Sequence, residues 1–222
     1  MSSFTEENYL KIIYNLSSWQ EGEVSTNALA EQTQTRAASV TDMLRKLADK
    51  NLIHYKKYQG VRLTLAGERV ALQVIRKHRL WEVFLADKLG FGWDEVHPLA
   101  EQLEHVDSEE LIQKLDAFLG HPRTDPHGDP IPDPAGRMPQ PDYCRLTEAT
   151  PGQAVALMGV TEHSAPFLQF LDRTGLTLGC QLNVVEINAF DGSMQVGING
   201  ETPQFVSQAV ARNLLVSQIN VE

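Results

Sequence analysis

Apolar residues recur at helical spacing through the first third of the chain, interrupted by short polar turns. Tyr9, Ile12, Ile13 and Leu16 share one face of a first predicted helix, with Thr5 as its cap. Ser25 or Thr26 opens a second helix carrying Ala28, Leu29 and Ala30. After the polar turn Thr33-Gln-Thr35 comes a third helix over residues 36–50, with Val40, Met43, Leu44 and Leu47 inward. The period then changes, and residues 52–58 and 61–65 read as two strands joined at Gln59-Gly60. Three helices followed by a hairpin make a winged helix-turn-helix. Thr64 caps a long helix over 66–89, stopped by Gly90. A helix over 94–106 follows, then another from the box-like start Asp107-Ser-Glu-Glu110 to Gly120. The long helix carries Val70, Leu72, Val74, Ile75, Leu80, Trp81, Phe84 and Leu85, more apolar residues than one internal seam uses. Two readings stand open for this surplus: a subunit interface, or extra core within the monomer.

Residues 121–141 hold seven of the eleven prolines and read as an extended linker, neither helix nor strand. Beyond it the pattern alternates. Residues 154–159, 181–188, 193–198 and 214–218 read as strands, with turns at Asp191-Gly192 and Asn199-Gly200 and one helix over 165–174. The expected fold is mainly α with a small β domain. It comprises a winged helix-turn-helix (1–65), a helical metal-binding and dimerisation domain (66–120), a proline-rich linker (121–144) and a small SH3-like β-barrel (145–222).

Charge sharpens this division. Residues 1–80 contain twelve Lys/Arg against eight Asp/Glu, whereas the rest contains seven against twenty-one, so the net charge of −10 hides a basic N-terminal module. The outer side of the third helix presents Arg36, Ser39, Thr41, Asp42, Arg45 and Lys46, and the hairpin carries Lys56, Lys57 and Arg62. Such residues reach phosphates and base edges of double-stranded DNA. Asp42 is the odd member, repelling phosphate unless it accepts from a cytosine amino group or faces water. A helix-turn-helix used as mere scaffold is the competing reading. No stretch approaches the roughly 20 apolar residues of a membrane span, and the start lacks the basic and apolar regions of a signal peptide. Cys144 and Cys180 make neither a disulfide framework nor a Cys-x-x-Cys site. A cytoplasmic protein is expected.

The chemistry concentrates in Asp94-Glu-Val-His-Pro-Leu-Ala-Glu-Gln-Leu-Glu-His-Val106. On one continuous helix, His97, Glu101, Glu104 and His105 would stack on a single face in the spacing of an apolar stripe. Carboxylates three residues apart repel one another, which is costly unless a cation or water satisfies them. His78 and Glu82 form another i, i+4 pair on the preceding helix. Six oxygen and imidazole donors on two helices suit a divalent transition metal. Solvated surface pairs are the alternative. His121 and His127, within the proline-rich stretch, could bind metal, but solvated or locally satisfied imidazoles are the expected reading there.

Glu7-Asn-Tyr-Leu-Lys-Ile-Ile-Tyr14, Ser39-Val-Thr-Asp-Met-Leu44, Arg76-Lys-His-Arg-Leu-Trp-Glu82, Val96-His-Pro-Leu-Ala-Glu-Gln-Leu-Glu-His-Val106 and Pro126-His-Gly-Asp-Pro-Ile-Pro132 carry a resemblance. With them, essentially the whole chain resembles the diphtheria-toxin-repressor family of metal-dependent transcriptional regulators, and in particular its manganese-sensing branch. The resemblance implies an ancillary metal position at His78, Glu82 and His97. It implies a primary position at Glu101, Glu104 and His105, completed from the first helix, where Asn8 stands in place of the usual Met or Asp. Asn8 as a helix-start residue with no metal role is the other reading. Lys11, one turn later, argues against a second first-helix ligand. A ligand from the barrel is also implied, with Glu162 the nearest candidate. A carboxylate at Glu101, where iron sensors have cysteine, favours Mn²⁺ over Fe²⁺, and other divalent transition metals are expected to substitute in vitro.

The expected function is a manganese-activated homodimeric repressor of metal-uptake genes acting on a palindromic operator. The alternatives are an iron-responsive repressor of the same family and a metal-independent winged-helix regulator. No enzyme is expected: a metallohydrolase lacks support, because the chain shows no His-Glu-x-x-His helix, Gly-rich phosphate loop or activated nucleophile.

Overall fold

The computed structural model describes residues 3–19, 23–56 and 59–219. Its backbone packing divides the chain into two compact units. The first comprises Met1–His78, Glu101–Ile112 and Pro132–Met138; the second comprises Arg79–Ala100, Gln113–Ile131 and Pro139–Glu222.

In the first unit, α1 (Phe4–Trp19), α2 (Thr26–Gln32) and α3 (Ala37–Asp49) lead into a hairpin of β1 (Ile53–Lys56) and β2 (Gly60–Leu63). Thr5 lies inside α1 rather than capping it. The cap is Ser3, whose hydroxyl accepts from the Glu6 N–H while the Glu6 carboxylate accepts from the Ser3 N–H. Ser25 caps α2 through the Ala28 N–H. Between α2 and α3 the Thr33 hydroxyl donates to the Leu29 carbonyl, and Gln34 takes a left-handed conformation that lets the chain reverse. Leu10, Ile13, Leu29, Val40, Leu44 and Leu47 are fully buried in one core. The inward face of α1 is thus centred on Leu10 and Ile13, with Ile12 and Leu16 half-buried. Ile53 pairs with Leu63 and Lys56 with Gly60, while Val24 bridges Val61 and extends the wing. Gly60 is needed there: a Cβ on it would lie 2.8 Å from that of Glu23.

The unit boundary falls within α4 (Leu65–Leu89), whose Gly67 N–H is accepted by the Thr64 hydroxyl. Leu72, Val74, Ile75, Leu80 and Leu85 are buried within the single chain, so most of the apolar surplus is monomer core. Trp81 and Phe84 are half-buried, and Phe84 sits 6.4 Å from the exposed ring of Phe118.

The next helix, α5 (Val96–Leu103), is shorter than its hydrophobic pattern predicts. Pro98 occupies its first turn, where a missing N–H costs nothing; a helix beginning at Asp94 would need that N–H. At the other end a tight Leu103–Val106 backbone bond closes the helix before Glu104. The predicted single face through His97, Glu101, Glu104 and His105 is therefore not formed. Ser108 caps α6 (Glu109–Phe118).

In the second unit, β3 (Cys144–Arg145), β4 (Ala154–Val160), β5 (Gln181–Ile187), β6 (Met194–Ile198), β7 (Gln204–Val206) and β8 (Leu214–Gln218) form one antiparallel sheet. The order is β3-β8-β4-β5-β6-β7. Register shifts in β4 and β5 bend it in the SH3-like manner around Leu157, Leu182, Val196 and Val216. The helix α7 (Ala165–Thr174) packs Leu168 and Leu171 into this core, and a short α8 (Gln208–Ala211) precedes the last strand. The short β3, β7 and α8 carry too few residues to show a period.

Residues 121–131 correct the linker reading. Thr124 bridges Pro130, Asp125 accepts from the backbone of His127 and Asp129, and Asp125, His127 and Ile131 are buried. Gly128 (φ +88°) lies so close to β4 that a Cβ would come within 2.1 Å of the Met158 carbonyl oxygen. This is a folded loop, held by its own polar groups rather than by helix or sheet periodicity.

Candidate metal centre and nucleic-acid interface

The first unit builds a charged cluster around Glu104, a buried carboxylate just past the end of α5. Lys11 on α1 donates to both of its oxygens, at 2.6 and 2.8 Å. His78 Nδ1 lies 2.6 Å from Oε2, and His105 Nε2 lies 3.6 Å from Oε1. Burial alone would raise the pKa of Glu104. The His78 hydrogen bond and the Lys11 charge outweigh it and hold the group below the usual carboxylate range. Glu101 is half-exposed, 3.8 Å from the Lys11 ammonium. The His105 ring stacks on Phe4 and places Nδ1 2.9 Å from Glu7. Glu7, adjacent to Asn8 on α1, was not among the predicted site residues. Asn8 itself carries a buried Oδ1 with no hydrogen-bond partner among the described residues.

The second unit builds another cluster. Glu82 is buried, with His97 Nδ1 3.2 Å from one oxygen and His127 Nδ1 3.6 Å from the other. Glu82, Asp125 and His127 each bring a ligand atom within 4.8 Å of the others. His127 is therefore neither solvated nor peripheral: its Nε2 lies 2.8 Å from the Trp93 carbonyl oxygen, its ring stacks on His163, and its Nδ1 makes no hydrogen bond. Burial pushes the Asp125 carboxyl up to about 8, assisted by the negative charges of Asp129 and Glu82. Burial alone would lower His127, but Glu82 and Asp125 raise it. A dense group of carboxylates around an unsatisfied imidazole nitrogen is a cation-seeking arrangement. Arg79 offsets part of that charge through Asp129, at 3.1 Å. Glu82 and His97 were legible as candidates from their helical spacing; for Asp125 and His127 the proline-rich stretch gave no periodicity to read.

His78 stands one turn before Glu82 on α4, and both side chains are buried. Glu162 is exposed and accepts from the Ser164 N–H at the start of α7. His121 is exposed and bonded to Asp116, satisfied locally as expected.

On the DNA-facing candidates, Arg36, Ser39, Asp42, Arg45, Lys46, Lys56 and Arg62 are exposed. Thr41 is half-buried and donates its hydroxyl to the Ala37 carbonyl. Asp42 pairs with Arg45 at 3.2 Å, which gives this acidic residue a partner on the basic face. Lys57 lies outside the described residues.

Residues 1–61 match the domain described as "Iron dependent repressor, N-terminal DNA binding domain". Residues 64–133 match "Iron dependent repressor, metal binding and dimerisation domain", and residues 144–218 match the FeoA domain. Among curated proteins, the iron-dependent repressor IdeR of Mycobacterium leprae is 33% identical over 193 residues, covering 81% of this chain and 83% of that one. The diphtheria toxin repressor of Corynebacterium diphtheriae is 33% identical over 129 residues, covering 58% and 56%. A solved manganese-dependent transcriptional repressor in complex with manganese superposes with a TM-score of 0.87 at 34% identity, covering 96% of this chain and 100% of that one. IdeR of T. acidophilum superposes with a TM-score of 0.76 at 28% identity, covering 99% and 100%. No described helix is long and apolar enough to cross a membrane.

Proposed function

Because this chain belongs to the diphtheria-toxin-repressor family of metal-dependent, DNA-binding transcriptional repressors, we propose that it is a manganese-activated homodimer that silences metal-uptake genes from a palindromic operator. The supporting observation is two of the three buried side-chain atoms that lack a hydrogen-bond partner among the described residues: Asn8 Oδ1 and His127 Nδ1, the third being the Trp81 indole nitrogen. A buried polar atom without a partner is costly; His127 lies among buried carboxylates where a cation would satisfy it, and Asn8 shares α1 with Glu7 and Lys11, which reach His105 and Glu104. The first ligand group is Glu101, Glu104 and His105 with Asn8 on α1. The second is Glu82 with His97, Asp125 and His127, to which Glu162 is the further candidate.

The donors are oxygens and imidazole nitrogens, while both cysteines lie in the β-rich segment. Such hard donors suit Mn²⁺. Bound metal would supply positive charge where carboxylates now repel one another. Asn8 belongs to the helix that packs on α2 and the wing, so fixing α1 against the 101–105 segment orders the reading head. This is a coupling free energy between metal and DNA. Two such heads in a dimer would read half-sites about one helical turn, roughly 34–36 Å, apart. The basic outer face of α3 and the hairpin supply the contacts.

Iron is the second reading, favoured by the names of the curated relatives. Fluorescence anisotropy on DNA from the protein's own promoter, with Mn²⁺, anaerobic Fe²⁺ or chelator, separates them. Affinity should rise about tenfold or more with Mn²⁺, equivalent to about 1.4 kcal/mol of coupling. A larger response to Fe²⁺ would move the assignment to iron. Equal binding in all three would overturn metal control.

A further inference from the structure

Lys11 stands out because it puts a cation of the protein's own where the proposed function needs a metal. Its side chain is 11% exposed and spans from α1 to Glu104, ninety-three residues later in the chain. The ammonium is bonded to both oxygens of a carboxylate that is 1% exposed, and it lies 3.8 Å from Glu101. His78 takes a further position on Oε2. An ionised carboxylate offers about four lone-pair sites, and Lys11 takes one on each oxygen of Glu104.

We propose that Lys11 is an internal competitor for the metal: its ammonium neutralises Glu104 in the metal-free protein and must leave that carboxylate before a divalent ion can take it. The inference rests on the reading of Glu101, Glu104 and His105 as metal ligands.

The physical argument has three parts. A divalent ion and an ammonium in contact with the same two oxygens would be near neighbours of like charge in a poorly solvated place. Glu104 cannot simply stay bare, because an unpaired buried carboxylate is expensive. Lys11 therefore stabilises the metal-free fold and raises the metal concentration at which the site fills. Its four-carbon stem gives it somewhere to go. That stem is flexible, so a rotation about it carries the ammonium away from Glu104 toward solvent and clear of the ligand group. Asn8 works in the same direction, since an amide adds no negative charge to draw the metal against Lys11. Together they tune the site toward a high threshold and release of the ion when supply falls.

Mn²⁺ binding to the full-length protein tests this, read from the electron paramagnetic resonance signal of free Mn²⁺ at fixed pH. Glu104→Gln first identifies the binding step that depends on this carboxylate. In Lys11→Met and Lys11→Gln that step should tighten by about tenfold or more, the removal of one competing charge. Circular dichroism melts accompany each variant. The metal-free lysine variants should melt lower than the parent and gain more from saturating Mn²⁺ than the parent does. Unchanged or weaker binding in folded Lys11→Met and Lys11→Gln, with Glu104→Gln still impaired, would overturn the role of Lys11. If Glu104→Gln leaves every step unaltered, the ligand assignment fails instead, and the inference fails with it.

Discussion

Lys46, on the outer side of α3, ends 2.9 Å from Oε1 of Glu6, a carboxylate with no exposed surface at the start of α1. Lys50 donates to both oxygens of the same group at 2.8 Å. Glu6 thus ties the reading helix to the helix that carries Glu7, Asn8 and Lys11, and Lys46 holds the frame together as well as facing outward. Burial alone would raise the pKa of Glu6, but the bonds from Lys50 and Lys46 lower it to about 2.

A depressed carboxylate contributes stability that is present above its unfolded value of about 4.3 and lost as pH falls through its folded value. Glu6→Gln should therefore lower the stability of the protein at pH 7 by about 2 kcal/mol, after allowing for solvent around the two partly exposed lysines. The variant should also lose part of the pH dependence expected between about pH 4.5 and 2. Chemical denaturation at pH 7 and pH 3 measures both, and an equal loss at the two pH values would show that the ion pairs are not the cause.

Glu104→Ala and Glu104→Gln should behave differently. Truncation leaves Lys11 and His78 buried around a hole, which should cost on the order of 3–5 kcal/mol before metal is considered. The amide keeps the volume and one acceptor oxygen, so Glu104→Gln should lose less stability than Glu104→Ala and remain folded while losing metal-dependent operator binding. A gel shift with and without Mn²⁺, read beside a melting curve, separates lost sensing from lost folding.

Gly128→Ala should undo the loop that delivers His127. Its positive φ alone costs an L residue about 1–3 kcal/mol, and the added carbon meets the Met158 carbonyl and the Gly159 backbone. Mn²⁺ stoichiometry by equilibrium dialysis should fall by about one ion per protomer. His127→Ala should give the same loss with a smaller fall in melting temperature, because it removes the ligand without forcing the backbone.

Arg62→Ala on the wing should weaken operator and non-operator DNA alike and reduce the salt slope of binding by about 1, the signature of a phosphate contact. Anisotropy titrations over a range of salt concentrations test it. A loss confined to the operator sequence would make Arg62 a base reader.

The sequence by itself determined the winged helix-turn-helix, the long α4 and the strands of the C-terminal sheet. Each buries a stripe or a face, and burial leaves a period of 3.6 or 2 that can be read locally. It also marked His78, Glu82, His97, Glu101, Glu104 and His105 as candidate ligands, since His and Glu recur there at helical spacing, but gave no such mark to Glu7, Asp125 or His127. The tertiary structure decided how they are used. α5 ends at Leu103, so Glu104 turns into the core instead of lying on a helix face. There it meets Lys11, whose place in the first helix gives no sign of a partner so far along the chain. Loop 121–131 became a folded element because Asp125, Gly128 and His127 satisfy one another and β4 at close range, with no period to announce it. Periodicity records how a segment meets the core; which distant charges come to share one buried position is decided only when the segments pack and the cost of leaving them unpaired is met.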